Sequence, residues 1–174
     1  IRGDLIRTLN SLMERSDRLD AVVIETTGLA DPGPIAQIFF SDQKFTHYTK
    51  LDSIVAVVDA YHFNMQLREH HETREQIAFA DVILVNKIDL IDSTTLETVI
   101  SDIKSTNPHA KLIKTAHCQA PINDLIDIDA FNLERVLEMK PEFELPQKKS
   151  KHDNHIGSVS LVSKKPLDID KFQT

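Results

Sequence analysis

Four short aliphatic runs, 21–24, 51–58, 81–85 and 110–114, set the tightest limit on how this chain can fold. Their apolar stretches, 21–24, 54–58 and 82–85, are continuous rather than alternating, the mark of strands covered on both faces. Helical periodicity fills the intervals. Leu5, Ile6, Leu9, Leu12 and Met13 recur at helical spacing behind a candidate cap at Asp4, which predicts a helix over roughly 4–18. Further helices are expected at 34–39, beginning on Pro34, and at about 62–80. Another runs from an N-cap at Ser93 to about Ser105, where Asn107-Pro108 stops it. Helical pattern resumes near Ile122. Strands alternating with helices predict an α/β fold, a doubly wound and mainly parallel sheet. Ligands of such sheets bind at the carboxyl ends of the strands. Glu25, Asp59 and Asn86 all fall at strand ends and are expected to share one crevice.

The composition removes several function classes. A net charge of −7 speaks against nucleic acid as a partner. The single cysteine, Cys118, rules out an internal disulfide and fits a reducing, cytoplasmic setting. No apolar run approaches the ~18 residues of a membrane span. The chain starts at Ile1 directly on helical pattern, so it is expected to be a segment of a longer protein. Residues 140–155 are charged, broken by Pro141 and Pro146, and read as a linker. Residues 157–161 alternate like a half-exposed strand, and 166–172 open like a helix. The expected organisation is a first domain over 1–139 that lacks its N-terminal strand, the linker, and the start of an incomplete α+β domain over 156–174.

Two loops carry chemistry. Asn86-Lys87-Ile88-Asp89 follows the 81–85 strand directly. Guanine presents an N1–H beside an amino group, and a carboxylate such as that of Asp89 can accept from both at once. Asn86 can supply an amide to the base or tie neighbouring loops together. The aliphatic stem of Lys87 can lie along the ring while its ammonium stays wet. The second loop is Glu25-Thr26-Thr27-Gly28. An acidic residue at a strand end holds Mg2+ in P-loop nucleotide hydrolases, and a glycine three residues on lets a backbone N–H approach the terminal phosphate. A phosphate cradle is missing. Gly28 and Gly33 match the glycine spacing of G-x-x-x-x-G-K-[ST], but Pro34 and Ile35 replace the lysine and the hydroxyl. The true P-loop is expected upstream of Ile1.

These residues resemble a family. Val22-Val-Ile-Glu-Thr-Thr-Gly-Leu-Ala-Asp-Pro-Gly-Pro34 closely resembles the E-x-x-G-x-A-D-P loop of the CobW-like GTPases, a metal-trafficking branch of the P-loop NTPases. Val55-Ala-Val-Val-Asp-Ala60 and Leu84-Val-Asn-Lys-Ile-Asp89 fit it in order and distance. Arg2-Gly-Asp-Leu5 looks like the segment after its C-x-C-C motif, and Ile156-Gly-Ser-Val-Ser-Leu161 like the opening strand of its C-terminal domain. The resemblance implies a slow GTP- and Mg2+-dependent hydrolase that delivers or stores a transition metal, zinc ahead of cobalt, for a client metalloprotein. It implies Glu25 and Gly28 as the Mg2+ and γ-phosphate sensor and Asn86, Lys87 and Asp89 as guanine readers. It places Thr115, Ala116 and His117 at a further backbone contact to the base. A homo-oligomer is compatible with it. Neither the P-loop nor the cysteine motif lies inside the sequence, so the chain alone is expected to be inactive.

Most of the eight histidines decline a metal role. His70 and His71 are sequence neighbours and do not share a helix face, so a solvated surface accounts for them. His152 and His155 flank Asp153 and could chelate a metal loosely within the linker. His117 and Cys118 make too few ligands for a closed site, and packing of the base loop is the simpler reading. Two other functions compete: a nucleotide-responsive metal store with incidental hydrolysis, and a nickel-insertion GTPase relative, in which the A-D-P-G-P loop is not expected. A dinucleotide enzyme is disfavoured because no G-x-G-x-x-G is present.

Overall fold

The computed structural model describes residues 2–15, 19–28, 30–41 and 49–139. Helix α1 spans Arg2–Met13 and α2 Gly33–Ser41. Strand β1 (Val55–Asp59) leads into α3 (Phe63–Glu69) and α4 (His71–Phe79), then into β2 (Val82–Asn86). A 3-10 turn at Ile88–Leu90 precedes α5 (Ser93–Thr106) and β3 (Lys111–Lys114). A second 3-10 turn, Ile122–Asp124, precedes α6 (Leu133–Met139). The sheet is parallel in the order β1-β2-β3, with Val55 beside Val82 and Val82 beside Lys111.

Burial follows from β2 being the middle strand. All five of its residues are buried. Ile83 and Val85 join Val58, Phe63, Ile77, Val99 and Ile103 in the main core, which glues α3, α4 and α5 to one face. The opposite face carries Val82 and Leu84, also buried, but the cover stops short of β1, where Val55 is 38% and Val57 58% exposed. A smaller cluster joins Ala36 of α2, Phe79 of α4 and Val136 of α6. Leu9 and Ile38 hold α1 against α2.

The α/β class, the parallel sheet and the strands at 82–86 and 111–114 agree with the sequence reading, but several elements differ. Residues 21–24 take no regular secondary structure and join no ladder among the described residues, and Val23 is 78% exposed. Among the described residues, Ile24 packs against the α1–α2 cluster. The expected strand at 51–58 enters the ladder only at Val55, because the preceding residues spend their hydrogen bonds elsewhere. The Asp52 carbonyl accepts from the Ala130 and Phe131 N–H groups, and its carboxylate from those of Asp127 and Asp129. Ile54 exchanges bonds with Asp81, whose N–H donates to the Ile54 carbonyl while its carboxylate accepts the Ile54 N–H at 2.7 Å. The buried carboxylate of Asp81 also holds Arg135 of α6.

The helix expected over 62–80 is two helices. His70 adopts an extended backbone (φ −125°, ψ 114°) that ends α3 and restarts the chain as α4. The first helix ends at Met13 rather than continuing to 18. Asp92, not Ser93, caps α5, its carboxylate accepting from the Thr95 N–H at 2.8 Å. The pattern near Ile122 gives a single 3-10 turn, and the helix waits until Leu133. Residues 140–174, with the expected linker and second domain, lie outside the described residues.

Asn107 does more than stop α5. Fully buried, its Nδ2 donates to the carbonyls of Ile77, Ala78 and Ala80, and its Oδ1 accepts from the N–H groups of His109 and Ala110. It ties the end of α4 to the entry of β3. Asn107→Ala strands several buried polar groups and should cost about 2–4 kcal/mol. In urea unfolding the midpoint should fall with the slope unchanged; an unmoved midpoint would show that the joint is dispensable.

Candidate functional site

The carboxyl ends of the three strands bring the loops of the site together. Asp59 and Asn86 are ladder partners at the last rung of β1 and β2, so the end of each strand faces its neighbour. Beyond β2 the chain turns at once. Lys87 takes the left-handed conformation (φ 63°), and the short 3-10 turn presents Asp89 on the exposed rim.

Asn86 itself is buried, and a buried amide needs partners. Its Oδ1 accepts from the Thr115 hydroxyl at 3.1 Å and from the Cys118 N–H at 2.9 Å. The Ile88 N–H returns to the Thr115 carbonyl at 3.3 Å. Of the two roles open to Asn86, the structure displays the tying one: its side chain joins the loop after β2 to the loop after β3. Residues 115–118 close tightly there, with left-handed backbone at His117 (φ 53°) and Cys118 (φ 54°), and both side chains are exposed.

Lys87 departs from expectation. Its ammonium is not simply solvated; it donates to Asp59 Oδ2 at 2.7 Å. The same carboxyl oxygen meets His62 Nδ1 at 2.9 Å, and Asp59 Oδ1 accepts the N–H groups of Tyr61 and His62. Burial alone would push the Asp59 carboxyl up. The bonds from Lys87 and His62, with the lysine charge, outweigh it and hold the carboxyl at about 2, below its ordinary value of 3.8. Asp59 was legible as a strand-end acid, but its grip on Lys87 was not, since residues 28 positions apart meet only through the β1–β2 register.

Glu25 is exposed and directly follows the irregular 21–24 segment rather than the end of a laddered strand. Gly28 follows in a turn, where a Cβ would meet nothing within 4 Å among the described residues, and its φ is not positive. Neither crowding nor backbone conformation within the chain requires glycine there. The loop between them and α2 is shaped by the Ala30 N–H on the Thr27 carbonyl and the Gly33 N–H on Asp31 Oδ1. Sequence reasoning passed over Gln76 of α4, whose Nε2 donates to the carbonyls of Gly28 and Ala30.

No group of three or more His, Cys, Asp or Glu side chains placed to hold a metal occurs among the described residues. His71 is 74% exposed, in keeping with a solvated surface. The candidates His152 and His155 lie outside the described residues. No helix among the described residues is long and apolar enough to cross a membrane.

Comparison with known proteins gives a consistent picture. The family model described as CobW/HypB/UreG, nucleotide-binding domain, matches residues 1–114. The chain is 35% identical over 142 residues to the zinc-regulated GTPase metalloprotein activator 1 of Schizosaccharomyces pombe, covering 80% of this chain and 34% of that protein. It is 32% identical to the zinc chaperone YjiA of Escherichia coli over 96% of this chain and 51% of YjiA. The crystal structure of Zn(II)-bound YjiA GTPase from E. coli superposes with a TM-score of 0.64 at 31% identity, covering 74% of this chain and 40% of that one. The chain thus spans a third to a half of the length of these relatives.

The pH dependence of the Asp59 cluster is directly testable. Because the folded carboxyl titrates below the unfolded one, its stabilisation is complete above about pH 4 and is lost as pH falls from 3.8 through about 2. The lysine is 43% exposed, so solvent screening limits the effect to about 1–2 kcal/mol. The stability gap between wild type and Asp59→Asn should narrow by that amount on acidification from pH 5 to pH 2. A gap independent of pH would show that the pair contributes nothing.

Proposed function

The chain belongs to the CobW/HypB/UreG family of nucleotide-binding domains, and from that premise we propose that it is the guanine-reading and phosphate-sensing part of a slow GTP hydrolase that delivers zinc, ahead of cobalt, to a client metalloprotein. One observation carries the nucleotide half of this reading: buried Asn86 fastens the 115–118 loop to the turn that exposes Asp89. The arrangement leaves a free carboxylate at the rim of a rigid double loop, as a guanine edge requires. The Lys87 stem, anchored at its far end by Asp59, is in this reading the group that covers the ring.

For the phosphates, Glu25 offers an exposed carboxylate to Mg2+, which when bound would neutralise charge on the phosphate oxygens. Gly28 offers a backbone N–H, and the space its absent Cβ would fill is open among the described residues. The phosphate cradle and principal zinc ligands belong, in this reading, to parts of the protein outside these 174 residues. The outer edge of β1, unpaired among the described residues, suits a further strand carrying that cradle. Zinc as cargo is supported by the relatives named a zinc chaperone and a zinc-regulated activator.

Base reading is tested in the full-length protein by Asp89→Asn. It should cost about 2–3 kcal/mol of GTP affinity, the worth of a charge-assisted pair, and should favour xanthine nucleotide, whose carbonyl can accept from the new amide. An unchanged preference for GTP over ATP would refute the role of the 86–89 loop.

Switching is tested by Gly28→Ala. Since a methyl there touches nothing among the described residues, a loss points to an approaching ligand. Metal release should differ between GDP and a non-hydrolysable GTP analogue in wild type and not in the variant. Metal retention indifferent to nucleotide in wild type would instead identify a store.

A further inference from the structure

Helix α4 grips the 28–33 loop at two places. The Gln76 Nε2 stands 2.8 Å from the Gly28 carbonyl oxygen and 3.1 Å from that of Ala30. A primary amide has two hydrogens to donate, and two carbonyl oxygens stand within reach of this one. One turn further on, the Phe79 ring stands against Gly33, where a Cβ would come within 3.2 Å of it. The helix making these contacts is itself fixed. Asn107 holds the carbonyls of Ile77, Ala78 and Ala80, and the chain passes through Asp81 into β2, whose far end is Asn86.

We propose that Gln76 is a positioning residue for the phosphate-sensing loop: its carboxamide clamps the Gly28 and Ala30 carbonyls, so that the Gly28 N–H is presented in one pose relative to the guanine-reading loop. This rests on the reading of Glu25 and Gly28 as the nucleotide sensor. A nucleotide touches base loop and sensor simultaneously, so the separation of the two must be set before it arrives. Through Gln76 the sensor is mounted on the same rigid unit, α4 and β2, as the base reader. Without the clamp the loop is ordered only when the triphosphate arrives, and that entropy is charged against binding. A diphosphate, which has no terminal phosphate to reach Gly28, does not feel the loss.

The test uses the full-length protein and four variants: Gln76→Glu, which keeps the shape and removes both donors, Gln76→Ala, Gln76→Lys, which restores a donor on a long stem, and Gly28→Ala. Affinities for GDP and for a non-hydrolysable GTP analogue are measured calorimetrically, with kcat and KM for GTP. Gln76→Glu and Gln76→Ala should bind GDP within about twofold of wild type. They should bind the analogue about tenfold more weakly, with a similar fall in kcat, as expected for two lost hydrogen bonds. Gln76→Lys should recover most of both. If GDP and analogue weaken together, or if neither changes while Gly28→Ala abolishes discrimination, the positioning role is overturned and the sensor stands. If Gly28→Ala is itself silent, the sensor reading falls and the role of Gln76 falls with it.

Discussion

Two hydrogen bonds to one buried oxygen, Oδ1 of Asn86, hold the functional end of this sheet together. They exist because β2 is the middle of a parallel sheet, hydrogen-bonded on both sides and covered on both faces, so the last residue of the strand is buried while the next is already leaving. A buried amide that could not find partners would cost about 1–3 kcal/mol. Here the cost is avoided by recruiting a hydroxyl and an N–H from the loop after β3. Strand order is thereby converted into loop geometry, and the positions of Asp89 and of residues 115–118 cease to be independent.

A second level of order is electrostatic and lies at the rim. Asp59 gathers Lys87, the His62 ring and two backbone N–H groups on one carboxylate, which stays ionised well into acid. The lysine is thus held at its tip while its stem remains available, a geometry suited to covering a flat ring. Helix α4, which leads into β2, holds the Gly28 turn through Gln76. Rigid mounting of both loops favours ligands that bridge them.

Much of this was legible in the sequence because β2 announces itself: an unbroken apolar run ending in Asn86-Lys87 and followed by Asp89 leaves little choice of structure. The 21–24 run has the same apolar character and yet forms no ladder among the described residues, where Val23 stands 78% exposed: an apolar pattern cannot by itself supply the neighbouring backbone that would pair with it and cover it. The break at His70 was hidden because a single extended residue hardly disturbs helical periodicity over 62–80. Asp92 was passed over in favour of Ser93 because both are good caps in adjacent positions. Gln76 carried no signal at all: a half-buried glutamine on a helix is unremarkable until its partners 46 and 48 residues away are seen.

The most direct measurement is a crystal structure of the full-length protein with Mg2+ and a non-hydrolysable GTP analogue. The expected result has the Asp89 carboxylate within hydrogen-bonding distance of both the guanine N1 and its amino group, the Lys87 stem across the ring, and Asn86 Oδ1 still joined to Thr115 and Cys118. A base lodged away from Asp89, or an Asn86 side chain swung out of the 115–118 loop to receive it, would contradict the reading of this sheet end as a preformed guanine site.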